Sequence, residues 1–121
     1  MRRLAPLALL LMFASPQPAL AVDPPYQKDM ERLSEILGSL YFLQPLCTTV
    51  AADWRMEMAD LVALDQPDDD RRQRLFGAFN GGYTAYARLY RTCTESARAA
   101  LTRLLVEAEA KARDIHNRFA E

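Results

Sequence analysis

The stretch FNGGYTAYARLYRTC, residues Phe79–Cys93, sets two glycines beside three tyrosines and ends on one of the chain's two cysteines. Phe79, Tyr83, Tyr86 and Tyr90, joined upstream by Phe76, recur at helical spacing and share one inner face. Glycine inside a helix costs about 1 kcal/mol relative to alanine. Gly81 and Gly82 therefore imply a kink or a close approach by a neighbouring backbone, and Gly82 lies nearer the aromatic stripe. This is the centre of an all-α protein, and the flanking sequence extends the pattern both ways.

Upstream, Pro67 with Asp68, Asp69 and Asp70 starts this helix and sets negative charge at the positive end of its dipole, with Arg71, Arg72 and Arg74 as solvated neighbours. The helix runs from about Asp69 to Arg91. A preceding helix starts near Thr48 or Thr49, either of which can cap it, and carries Val50, Trp54, Met58 and Leu61 on one stripe. The first helix covers about Lys28–Gln44, buries Leu33, Ile36, Leu37 and Leu40, and is ended by Pro45. Downstream, Thr94 caps a last helix with Ala97, Leu101, Leu104, Leu105, Ala108, Ile115 and Phe119 inward. Short connections favour antiparallel neighbours, so the predicted fold is a small four-helix bundle, up-and-down, without strands. That topology sets Cys47 and Cys93 at the same end.

The start of the chain reads differently. Arg2 and Arg3 precede an apolar run, Leu4–Phe13, of about ten residues, too short to span a bilayer and suited to a secretory leader. Pro16, Pro18 and the small-residue site Ala19-Leu20-Ala21 follow, so residues 1–21 are expected to be a signal peptide cleaved near Ala21. Residues 22–27 form an extended leader and 28–121 one helical domain, placed in the periplasm or outside the cell with no membrane span after cleavage. Export makes a Cys47–Cys93 disulfide the expected state, a closed loop worth about 2–4 kcal/mol. The mature chain keeps 13 basic against 16 acidic residues, a net charge of about −3, which gives no electrostatic reason for a nucleic-acid partner.

LGSLYFLQPLC over residues 37–47, Trp54 with Arg55, FNGGY over 79–83, Tyr90, and Cys93-Thr94 together resemble an uncharacterised alphaproteobacterial family of small exported proteins, a domain of unknown function. The residues that carry the resemblance include Gly38, Cys47, Trp54, Phe79, Asn80, Gly82, Tyr83, Tyr90, Cys93 and Thr94. Relatives carry a basic residue at the place of Gly81, where this chain departs. The resemblance implies export and a small helical fold, and it brings no catalytic residue.

Chemistry-bearing constellations are sparse. His116 is the single histidine, and Ser34, Ser39 and Ser96 read as helix-surface or capping residues. Three Cys and His residues fall short of a structural zinc set, and Asp65, Asp68, Asp69 and Asp70 lack calcium-loop spacing, so no metal and no cofactor are expected. Met30 and His116 are placed like the axial ligands of a b-type cytochrome, yet both fall on the flanks of their apolar faces. Trp54 reads as a core anchor. Asn80, a quarter-turn off the aromatic stripe, either bonds a freed backbone carbonyl or meets a partner, and Met56 projects from the outer face of its helix. The leading expectation is a non-enzymatic exported protein that binds an envelope protein, as an accessory or regulator of envelope or cell-wall machinery. The alternatives are an acid-stress-type periplasmic chaperone, a small-ligand or haem binder, and a wall hydrolase using two carboxylates such as Glu57 and Asp60.

Overall fold

A computed structural model describes residues 22–119; the expected signal peptide over 1–21 lies outside the described residues. Four helices follow in order: α1 Gln27–Cys47, α2 Trp54–Asp65, α3 Asp69–Leu89 and α4 Glu95–Phe119, with no strand among the described residues. Three of their starts are side-chain capped. The Met56 N–H donates to Asp53 Oδ1 (3.0 Å), the Arg71 N–H to Asp68 Oδ1 (2.8 Å), and the Ala97 N–H to Thr94 Oγ1 (3.1 Å).

The boundaries between α1 and α2 differ from the expectation. Pro45 lies inside α1, because its missing N–H forfeits one bond in a final turn that closes regardless. There the Thr48 N–H and hydroxyl both donate to the Gln44 carbonyl, at 2.8 and 3.1 Å. Thr48 thus ends α1 instead of starting α2. Val50, 63% exposed, drops out of the second helix's stripe into the connection, and Asp53 takes the cap. At the other end of α2, Gln66 adopts φ 49° ahead of Pro67 and turns the chain sharply toward α3.

Paired residues give the directions. Gln27 meets Arg71 at one end of α1 and Phe42 meets Tyr83 further along, so α1 and α3 are parallel. Tyr26 meets Asp65 while Gln44 meets Trp54, and Asp29 meets Lys111 while Arg32 meets Glu107, so α2 and α4 run antiparallel to α1. The order is up, down, up, down. α1 is the hub against which each of the other three helices packs. Ile36, Leu40 and Leu43 form one core cluster with Ala97, Ala100, Leu101 and Leu104 of α4. Met30, Leu33 and Leu37 form a second with Met58, Leu75 and Phe79.

A hub helix is buried around most of its circumference. Ser34 and Ser39 are therefore interior and not surface serines, and each satisfies its hydroxyl within α1 on the Met30 and Glu35 carbonyls (2.7 and 2.8 Å). Met30, expected on a flank, is likewise 3% exposed.

Gly82 answers the question its helix raised. A Cβ added there would fall 2.0 Å from the Glu35 carbonyl oxygen, and one on Gly38 would fall 1.8 Å from that of Phe79. The α1 and α3 backbones touch through these two glycines, whereas a Cβ at Gly81 would meet nothing within 4 Å. Turning Gly82 onto α1 makes Arg71, Leu75, Phe79 and Gly82 the buried stripe of α3. Phe76 and Tyr83, expected inside, are rotated to the edge at 39% and 38% exposure. Tyr86 and Tyr90 pack on the α1–α4 cluster and stack with centroids 6.3 Å apart. Tyr90 ends α3 earlier than the expected Arg91. Cys47 and Cys93 form the disulfide, Cα atoms 5.1 Å apart, which ties the end of α1 to the α3–α4 connection.

Arg32 clamps α4 to α1 through a two-pronged pair with Glu107, at 2.6 and 2.8 Å. The Arg32 hydrogen bonds hold the Glu107 carboxyl below its ordinary value of 4.5. The unfolded chain therefore takes up this proton first, and the pair's contribution is present above pH 4.5 and lost as pH falls through the lower folded value. Both groups are about a third exposed, so the contribution is small, within about 1 kcal/mol. Thermal melts of wild type and Glu107→Gln should differ at neutral pH and converge as pH drops below about 4.5. Urea unfolding should show Gly82→Ala and Gly38→Ala each losing about 1–3 kcal/mol or more. Gly81→Ala should instead gain up to about 1 kcal/mol.

Candidate functional site: two clefts beside α2

α2 has only 12 residues and packs chiefly on α1. Its two sides consequently open as clefts, one toward α4 and one toward α3.

The α4-side cleft is a trough formed by two abutting cavities of ≈ 400 and ≈ 370 Å³, which share Leu33, Leu61, Leu64 and Ala112. One end is lined by Tyr26, Met30, Ile115, His116 and Phe119, the other by Leu37, Trp54, Leu105 and Ala108. Leu64, 87% exposed, and Leu105, at 36%, form its opposing apolar lips. Glu57 and Asp60 stand on the α2 side of the second cavity and Glu109 on the α4 side. Trp54 is fixed by its indole N–H, which donates to Gln44 Oε1 at 2.7 Å. It also packs against both core clusters, so its anchoring role and its place in the trough coincide.

A buried polar knot closes the Tyr26 end. The Tyr26 hydroxyl donates to Asp65 Oδ1 (2.7 Å), Arg71 donates through Nη2 to Asp65 Oδ2, and Arg71 Nε donates to Gln27 Oε1 (2.7 Å). The guanidinium also lies 5.7 Å from the centroid of the Tyr26 ring. The bond to Asp65, followed by burial, raises the Tyr26 hydroxyl's pKa above its ordinary value. Arg71 and Asp65 side chains are only 10% and 7% exposed, so Arg71 is no solvated neighbour of an acidic cap. The missed signal was its position, four residues before Leu75 and eight before Phe79, on the stripe that α3 buries.

On the other side, Tyr41, Arg55, Met58, Phe76, Phe79, Asn80 and Tyr83 line a cleft of ≈ 390 Å³. Its aromatics interlock: Tyr41 and Tyr83 have centroids 5.4 Å apart, Phe42 meets Tyr83 edge-on, and Arg55 lies 5.9 Å over Tyr41. Asn80 is exposed on the lip and makes no side-chain hydrogen bond among the described residues, so the expected bond to a freed carbonyl is not formed. Met56, 56% exposed, lines neither cleft, and the two residues expected to share a partner surface are not brought together. Most other singled-out residues build the scaffold: Gly38 and Gly82 at the helix contact, Phe79 in the core, Thr94 at a cap, and Cys47 and Cys93 in the disulfide. Both thiols are consumed, so neither is a nucleophile. His116 is exposed on the trough's rim while Met30 is packed in its floor.

Removing one partner of a buried ion pair costs about 3–5 kcal/mol. Arg71→Leu, which leaves Asp65 charged beside Tyr26, should lose stability on that scale in urea unfolding. Asp65→Leu combined with Arg71→Leu should recover much of the loss.

No described helix is long and apolar enough to cross a membrane. No curated protein and no solved structure matches the chain. A family model, described as Protein of unknown function (DUF2385), matches residues 25–119, which span all four helices, both clefts and the disulfide. The chain belongs to that family of unknown function.

Proposed function

We propose that this protein is an exported, non-enzymatic helical module that binds another envelope protein, as an accessory or regulator of envelope or cell-wall machinery. The reading places it in the periplasm or outside the cell, after cleavage near Ala21. The observation that carries it is the apolar trough between α2 and α4, with Leu64 and Leu105 exposed on its two lips. Contiguous exposed apolar surface costs solubility and marks interaction sites. Helices fixed to α1 form the walls, so a partner meets a preformed surface and loses less entropy on docking. The basic, apolar leader and the Cys47–Cys93 disulfide support an oxidising destination.

Crosslinking of the tagged protein in the periplasm of its native host, followed by capture and mass spectrometry, tests the reading. The expected result is one reproducible envelope protein whose recovery falls with Leu64→Glu. Recovery of many unfolded clients enriched at low pH would support the chaperone instead. A Soret band in the purified protein would support the haem reading, since Met30 and His116 line one cavity. Recovery of no partner overturns the proposal.

A further inference from the structure

The chemistry of the trough goes further than a generic apolar surface. Resting on the partner-binding reading above, we infer that its occupant is an amphipathic helix of about three turns whose apolar face is flanked by lysine or arginine.

Length comes first. α2 has 12 residues, so the wall it provides is roughly 18 Å long at 1.5 Å per residue. α2 and α4 both run antiparallel to α1, so the walls lie side by side above a floor of Met30, Leu33 and Leu37. Steps of three and four residues along that floor accept anchors repeating at the same spacing on a docked helix.

Backbone chemistry selects the helix. A peptide bound by strand addition needs a sheet edge to pair its N–H and C=O groups, and the described residues contain no strand. The trough walls are mostly leucine, alanine and aromatic side chains, whose apolar atoms cannot take those bonds. A helix satisfies its own backbone and presents only side chains.

Charge selects the flanks. Among the described residues the charged side chains lining the trough are Glu57, Asp60, Asp65 and Glu109, with His116 at one rim and no lysine or arginine in either cavity. Asp65 is already offset by Arg71. Glu109 lies 3.7 Å from Arg113, both at least 70% exposed, a pair too solvated to cancel its field. Glu57, Asp60 and Glu109 thus face each other across the second cavity as a negative rim, complementary to basic residues and repulsive to a fatty acid's carboxylate.

Trp54, the chain's only tryptophan, lines this cavity and reports its occupancy. The test is fluorescence titration of the full chain, purified as the cell matures it. The probe is a synthetic 14-residue helical peptide with leucines on one face and lysines beside them, compared with the same peptide carrying glutamates. The lysine peptide should shift Trp54 emission, with affinity falling about tenfold in Glu57→Gln/Asp60→Asn/Glu109→Gln, and the affinity of the unaltered chain falling with added salt. Leu64→Asn, which removes the apolar lip without adding charge, should weaken its binding as well. Equal binding of both peptides, or binding unchanged in the triple variant, overturns the inference.

A photo-crosslinking residue placed at position 64 in the native host separates this inference from the broader reading. Attachment to an envelope protein through a segment lacking basic amphipathic character would sink the helix and leave partner binding intact. Attachment to a lipid, to a second copy of the chain, or to nothing would remove both.

Discussion

The backbone contact that α1 and α3 make at Gly38 and Gly82 governs the architecture. Any side chain at either position would drive a carbon to within about 2 Å of a carbonyl oxygen on the opposing helix. Removing both Cβ atoms lets two parallel helices touch backbone to backbone, and the residues around the contact take their places from it. Phe79 goes into the core, while Tyr83 swings out to meet Tyr41 and Phe42. The disulfide acts on the same pair, since it ties the end of α1 to the segment just beyond α3. Two neighbouring glycines and one covalent link thus hold a helix pair whose parallel dipoles give it no electrostatic preference for that direction.

With α3 drawn so close, α1 becomes the common support. Its buried circumference explains why serines are interior and why Met30 is core. It also explains the clefts. α2 packs chiefly on α1, and its anchors, Met58 against the core and Trp54 on Gln44, hold it there. The spaces left on either side have different chemistry. The side facing α4 collects aliphatic residues and carboxylates, and the side facing α3 collects rings, an arginine and an amide.

Helix count, most caps, the disulfide and the special status of Gly82 were legible in the sequence because each depends on local chemistry or a periodic pattern. The boundary at Pro45 was not, since a proline in a last turn removes one hydrogen bond where few remain to be made. The aromatic face was read nearly whole as interior because five residues at helical spacing span an arc wider than the contact. Only the position of Gly82 says which part of that arc is buried, and Gly38, its counterpart, lies 44 residues away. The trough was illegible for a related reason. Glu57, Asp60, Leu64 and Glu109 are ordinary helix-surface residues until α2 and α4 stand side by side, and periodicity within one helix carries no information about the gap to another.

The scaffold and the surface proposed for recognition fall on different residues. Gly38, Phe79, Gly82, Thr94 and the two cysteines are so deeply involved in folding that altering them changes stability before anything else. Glu57, Asp60, Leu64 and Glu109 are exposed, and apart from the loose Glu109–Arg113 pair they take no part in ion pairs among the described residues. Their substitution leaves the scaffold intact and alters only what the trough presents. The residues that make the chain recognisable therefore report on its frame, and on the proposed reading the informative ones are the unremarkable acids and leucines beside the short helix.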